Sequence, residues 1–593
     1  MPKPKSPAQA KNSKFAFKEF TKSIKPHRFS IIFAIILSIG SATCGIFTPK
    51  ILGNMINSVK DSIDLGEAIN WDFLTQKAIL VIVLFLLAAA LNYAQAYILA
   101  VTTAKYTKSL RERIIEKIGR LPISYFDQHK IGDTLSRMTN DIDVLVTSMS
   151  QEIADVTLSL TTLIGISIIM LTISVPLSLI SFIIVPLSVF VVGKIAVFAQ
   201  KYFHEQQNTL GELNSKIEEN YSGQVIVKSN SHEGESIEDF QKTNQKLTRA
   251  AWRAQVYSSL SMPVTHIFTN LGYVATCVVG GYLVIDGQIS LGDIQAFIQY
   301  VSSFNRPITE VASSVSTVQA LLAASERIFE FLNEKEEEPD REDAYELSEI
   351  KGAVEFNNVE FSYDKKNPII KNFTAKINPG EQVAIVGPTG AGKTTIINLL
   401  MRFYDPDSGT ITIDGVSTKD MRRSDVRKLF GMVLQDTWLF SGTIADNLKY
   451  GNQSATLEDI RAAAKVSDID HVVESLARGY ETVIAEDSDN ISAGEKQLLT
   501  IARAMVANPP MIILDEATSN VDTRTEQLVQ AAFDKLTKGR TSFVIAHRLS
   551  TIRNANLILV MKDGNIVEQG THDELLEKNG FYAELYNSQF AED

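Results

Sequence analysis

The chain has 593 residues, too many for one hydrophobic core, so it should divide into two or more domains. Its hydrophobic share of 45% is ordinary, but the apolar residues crowd into the first half while the second half reads as a soluble α/β domain. A net charge of −12 argues against nucleic acid as the main partner, since phosphate binding needs a basic face, and leaves the lipid bilayer as the expected one.

Residues 1–28 form a lysine-rich stretch without the short apolar region of a secretory signal, so they are expected to be retained and cytoplasmic. Within them Phe17, Phe20 and Ile24 recur at helical spacing among lysines, which suits a short helix lying in the headgroup region. Residues 29–332 then read as an α-helical transmembrane domain. A spanning helix needs roughly 20 apolar residues. Six segments qualify, at 29–47, 76–101, 153–174, 175–198, 256–285 and 293–318, and the last two are the more polar. The two cysteines, Cys44 and Cys277, lie inside these segments and are too few for a disulfide framework or a zinc site.

Basic residues mark the cytoplasmic side of a membrane. Eight of them, Lys3 to Arg28, precede the first span against the single acid Glu19, and another basic group from Lys105 to Arg137 separates spans two and three. Both termini are therefore expected inside. Helical character continues past the spans on both sides of Ser124-Tyr125-Phe126-Asp127 and of 218–235, so spans two to five should project as long hairpins toward an ATPase domain. In span six, Arg306 and Glu310 stand one turn apart, where ionisable groups face a cavity or pair along the helix. Tyr93, Tyr273, Tyr300 and Phe304 could line such a cavity or serve only helix packing.

The run 333–350 is charged, cannot build a core, and reads as a solvated linker. From 351 to 593 short β-branched strands alternate with helices, the pattern of an α/β domain with a largely parallel sheet. Gln382–Val386 is a buried strand running into Gly387-Pro388-Thr389-Gly390-Ala391-Gly392-Lys393-Thr394, and a helix that includes Thr395 follows. This is a P-loop in its proper context. Gly387, Gly390 and Gly392 permit close backbone approach to phosphates, Lys393 reaches the β- and γ-phosphates, and the Thr394 hydroxyl serves Mg2+. Met511–Leu514 is a second buried strand, ending in Asp515, suited to organising Mg2+, and Glu516, suited to polarising an attacking water. His547 also follows a strand, where ligands bind in open α/β sheets.

With these motifs in this order, the chain resembles the ABC transporters of the exporter type, in which a six-helix membrane domain precedes a P-loop ATP-binding domain. The resemblance implies that Tyr363 stacks on adenine, that Gln435 senses the Mg-phosphate group, that Asp522 acts across a dimer, and that His547 meets the γ-phosphate. It implies further that Leu121 to Asp141 surrounds the first coupling helix. The family's signature loop, which binds ATP held by the opposite subunit, appears as Ile491-Ser492-Ala493-Gly494-Glu495, with Ala493 in place of a glycine. A Cβ there can disturb close approach to the γ-phosphate. An intact P-loop, Asp515, Glu516 and His547 beside a weakened signature resemble the catalytically complete half of bacterial heterodimeric multidrug exporters. The expected partner is thus a second half-transporter, with a homodimer as the alternative, and the expected cargo amphipathic or lipophilic compounds, driven by ATP and Mg2+. Lipid or peptide export, and an ATP-gated sensor that moves nothing, are the competing readings.

Overall fold

The computed structural model describes residues 12–590 except 348, 366, 435–436, 485–490, 516–522 and 546–548. They form two compact units: residues up to 120 with 129–335, and residues 121–128 with 336–593.

The first unit is helical, because a chain in hydrocarbon has no water to satisfy its N–H and C=O groups and must satisfy them within itself. Its long helices are Arg28–Asp64, Trp71–Arg120, Ile153–Ile173, Val175–Ser222, Glu233–Ile285 and Leu291–Leu332. Each of the six expected spans lies within, or overlaps, one of them. Among the described residues five helices are long and apolar enough to cross a membrane, and Leu291–Leu332, with its serines, Arg306 and Glu310, is not one of these. At 1.5 Å per residue the 50-residue Trp71–Arg120 measures about 75 Å. A hydrocarbon core is only about 30 Å thick, so this helix extends far beyond it. The third and fourth long helices are separated by Ser174 alone, which is extended, and Pro176 restarts the helix in its first turn, where its missing N–H costs nothing.

The helix entering Ile153 carries two π-helical turns, Arg137–Asp141 and Ser148–Glu152. Asp141 in the first of them is buried and receives both Nε, at 2.8 Å, and Nη2 of Arg327 from the sixth long helix. The first and sixth long helices meet at backbone distance. A Cβ on Gly53 would lie 2.4 Å from the Gly292 carbonyl oxygen, and one on Gly292 would lie 1.9 Å from that of Gly53. Small residues permit this approach. Lys50 reinforces it by pairing at 2.5 Å with Asp293, which also closes the capping box of Ser290.

The second unit has a six-stranded sheet in the order 565–570, 557–562, 382–386, 541–545, 511–515, 430–433, parallel throughout except for the 565–570 edge. A four-stranded antiparallel sheet, 370–377, 354–361, 408–413, 416–417, packs with it. Strands such as Thr541–Ile545 are buried along their whole length, as expected where both faces of a parallel sheet are covered.

The charged run after the sixth helix departs from the expected solvated linker. Glu337 pairs with Arg423 at 3.2 Å and Arg427 at 2.9 Å, Asp340 with Arg423 at 3.1 Å, and Arg341 with Asp420 at 2.6 Å. The Arg423 side chain is only 10% exposed, and a buried guanidinium needs counter-charges, which these acids supply.

Gly292→Ala should drive the first and sixth helices apart and lower stability by about 1–3 kcal/mol, the usual cost of overpacking, read as a lower thermal unfolding temperature of the purified protein.

Candidate active site

Four parallel strands, 382–386, 541–545, 511–515 and 430–433, end along one edge of the sheet, with Ile385 beside Ile545 and Ile545 beside Asp515. The P-loop leaves the first of these strands. Gly390 and Gly392 adopt φ of +84° and +100°, which an L side chain rarely tolerates, and a Cβ on Gly392 would also lie 2.7 Å from Ile370 Cδ1. The loop thereby delivers the N-terminus of helix Lys393–Leu400 to the sheet edge, with its unpaired amides and positive dipole end.

Lys393 folds back over this loop, its ammonium donating to the carbonyls of Gly387 at 2.7 Å and Pro388 at 3.2 Å. Burial holds its pKa below the ordinary lysine value, while the nearby Asp515 carboxylate pulls the other way. Thr394 is exposed at the head of the helix and Thr395 is buried beneath it. The Thr394 hydroxyl and the Asp515 carboxylate are hard oxygen donors of the kind Mg2+ prefers, so the described residues fit that ion. Bound there, Mg2+ would neutralise developing charge on the phosphates. Thr389 lies in the loop itself. Glu516, His547, Gln435 and Asp522, which follow strand ends in the sequence, lie outside the described residues.

Tyr363 is 40% exposed. Its hydroxyl lies 3.4 Å from Thr395 Oγ1 and accepts a hydrogen bond from Asn398 at 3.1 Å, so it is tied to the P-loop helix. In the signature loop Ser492 caps helix Ala493–Ala507, its hydroxyl and amide both donating to Glu495, at 2.8 and 2.7 Å. Ala493 is the first helical residue and exposed, and Gly494 is buried. The Cβ of Ala493 therefore costs its own helix nothing.

Comparison with known proteins agrees with this geometry. Residues 31–308 match the family described as ABC transporter transmembrane region, and residues 370–519 match the family described as ABC transporter. The chain is 42% identical to the fatty acid ABC transporter ATP-binding/permease protein of Mycobacterium bovis, over 95% of each chain. It belongs to the ABC transporters. This exporter is also 33% identical to a putative multidrug export ATP-binding/permease protein of Bacillus subtilis, covering 96% of this chain and 99% of that one. To the ATP-dependent lipid A-core flippase of Syntrophus aciditrophicus it is 34% identical, over 97% and 95%. As an ABC exporter it is embedded in a membrane, works as a dimer and couples ATP hydrolysis to transport.

In its membrane unit, a cavity of about 420 Å3 opens between the first, third and sixth long helices. Arg306 and Glu310 line it, as does Tyr300, whose buried hydroxyl donates to the Ile46 carbonyl at 2.8 Å. Glu310 accepts from Arg306 Nε at 2.7 Å and from the Ser159 hydroxyl at 2.5 Å, so its carboxylate bridges the third and sixth helices. Phe304 is buried in the helix core, and Tyr93 and Tyr273 are exposed away from this cavity. Of the two roles open to them, Phe304 takes helix packing, and Tyr93 and Tyr273 do not line this cavity. Sequence reasoning instead passed over Ser41, Ser159, Thr162, Ser302 and Ser303, whose only signal was a hydroxyl within an apolar run.

Lys393→Ala should weaken ATP binding about tenfold or more, the worth of a charged hydrogen bond, in a titration with fluorescent nucleotide. Gly392→Ala should cost about 1–3 kcal/mol through its left-handed backbone, measured as a lowered unfolding midpoint.

Proposed function

We propose that this ABC exporter moves amphipathic or lipophilic compounds across the cytoplasmic membrane, with both termini and the ATP-binding domain inside. The observation that carries the reading is the membrane cavity, whose walls combine apolar side chains with small hydroxyls and one Arg306–Glu310 pair. Such a lining suits a cargo with a large apolar body and a small polar part. Two relatives, named for fatty acid transport and lipid A-core flipping, favour lipid-like amphiphiles within that class, and a third is named for multidrug export.

At the ATP site the loop amides and Lys393 hold the phosphates, Thr394, Asp515 and Gln435 serve Mg2+, Glu516 polarises the attacking water and His547 meets the γ-phosphate. The partner is a second half-transporter whose P-loop faces Ser492, Ala493, Gly494 and Glu495. Because Ala493 adds a Cβ where backbone would approach the partner's phosphate, a different chain is favoured as that partner. Intact mass measurement of the complex in mild detergent decides this: two masses support the heterodimer, whereas one repeating mass with full ATPase activity replaces it by a homodimer.

Transport is tested in proteoliposomes loaded with ATP-regenerating medium and a fluorescent fatty acid or a lipophilic dye. ATP-dependent movement is expected and should fall about tenfold in Arg306→Gln, which leaves the Glu310 charge uncompensated. No movement of either probe would contradict the reading. Glu516→Gln should lower steady-state hydrolysis by about 100-fold or more while ATP still binds, and substantial remaining turnover would remove Glu516 from its role.

A further inference from the structure

The helix Lys393–Leu400 that carries the phosphate-binding end of the P-loop leads directly into Met401-Arg402-Phe403-Tyr404-Asp405, a short segment held unusually tightly. Arg402 takes φ of +51° and is 7% exposed. Its guanidinium donates to Asp405 at 3.0 Å and to the Met421 carbonyl at 2.6 Å, and the Phe403 amide donates to the Asn398 carbonyl at 2.9 Å. Asp405 in turn accepts from Arg423 at 3.0 Å, the same arginine that clamps Asp340. Neither side of Tyr404 is free to drift.

Tyr404 makes two kinds of contact from this fixed backbone. Its ring stands edge-on to Tyr363, with centroids 5.0 Å apart at 88°, and against Phe361 at 5.4 Å. Its hydroxyl donates to the carboxylate of Asp127, in the short helix Ile123–Gln128, which belongs to the same compact unit. Burial and the Asp127 charge both raise the Tyr404 pKa, so the hydroxyl keeps its proton and remains a donor. Tyr363, Tyr404 and Asp127 thus form one connected path from the nucleotide side of the domain to that helix.

We infer that Tyr404 is a positioning residue that transmits occupancy of the nucleotide base at Tyr363 to helix Ile123–Gln128 through its hydrogen bond to Asp127. A base laid against Tyr363 restricts that ring, and the ring edge restricts Tyr404. The restricted hydroxyl then holds Asp127 in one orientation. This rests on the proposed role of Tyr363 against adenine. The triphosphate alone, bound at the loop, would leave the path unengaged.

The test is hydrogen exchange of the full-length protein in lipid nanodiscs, carrying Glu516→Gln so that ATP persists. MgATP should slow exchange across residues 121–130 by about fivefold or more, the low end of ordinary coupling between sites. Inorganic tripolyphosphate should not, although it protects residues 387–395. Tyr404→Phe, which keeps the ring and removes the donor, should abolish the slowing at 121–130 while ATP still protects the P-loop. Asp127→Ala, which removes the acceptor, is the second variant and decides if Tyr404→Phe does not fold. A double variant should show no larger loss than either single one. Slowing that survives in Tyr404→Phe and Asp127→Ala overturns the inference, as does equal slowing by ATP and tripolyphosphate. The role of Tyr363 is judged separately by whether Tyr363→Ala erases the preference for ATP over tripolyphosphate at the P-loop itself.

Discussion

The parallel pairing of strand Gln382–Val386 with Thr541–Ile545, and of the latter with Met511–Asp515, is the constraint on which the chemistry depends. In a parallel arrangement all these strands end at one edge. Residues separated by more than a hundred positions, Lys393 and Asp515, are thereby brought close enough for their charges to interact. Burial of Val383, Ile385, Phe543 and Ile513 on one face and of Ala384, Val544, Ile512 and Leu514 on the other holds the register. A slip of one residue would exchange the two faces and displace the loop from the helix it feeds.

Both units resolve the same physical problem in different solvents. In the membrane unit, two carboxylates find their partners within the protein: Glu310 takes its two from its own helix and from Ser159, and Asp141 takes Arg327. The second unit can rely on water at its rim, yet it buries Arg402 and Arg423 and surrounds them with Asp340, Asp405 and the Met421 carbonyl. A buried guanidinium left without such partners would carry a heavy desolvation cost. This is the physical reason that the acidic run after the sixth helix is attached to the domain it precedes.

Several features were legible because their signals are local. The glycine spacing of the P-loop sits directly after its strand, and the two carboxylates directly after theirs, so each motif is contained within a few residues. The apolar runs located the long helices, and the helical pattern of the polar residues beside Ser124-Tyr125-Phe126-Asp127 already extended them past the spans, as in Lys105–Arg120, which continues the helix from Trp71. The role of 337–340 was misread because its cationic partners stand more than eighty residues further along the chain. Tyr93 and Tyr273 were candidates for the cavity by residue type alone, with helix packing as the alternative, and Tyr404 was passed over for want of a motif around it.

By itself the sequence determined the division into an apolar helical half and an α/β half, the P-loop and the carboxylates after a buried strand, because composition, periodicity and short spacing are properties of neighbouring residues. Only the tertiary structure decided that Gly53 and Gly292 touch, that Ser159 rather than Tyr93 reaches the cavity, and that Tyr404 joins Tyr363 to Asp127. Those outcomes depend on how each helix is rotated about its axis and on which distant segments fold against one another, and packing settles both only when the whole chain is in place.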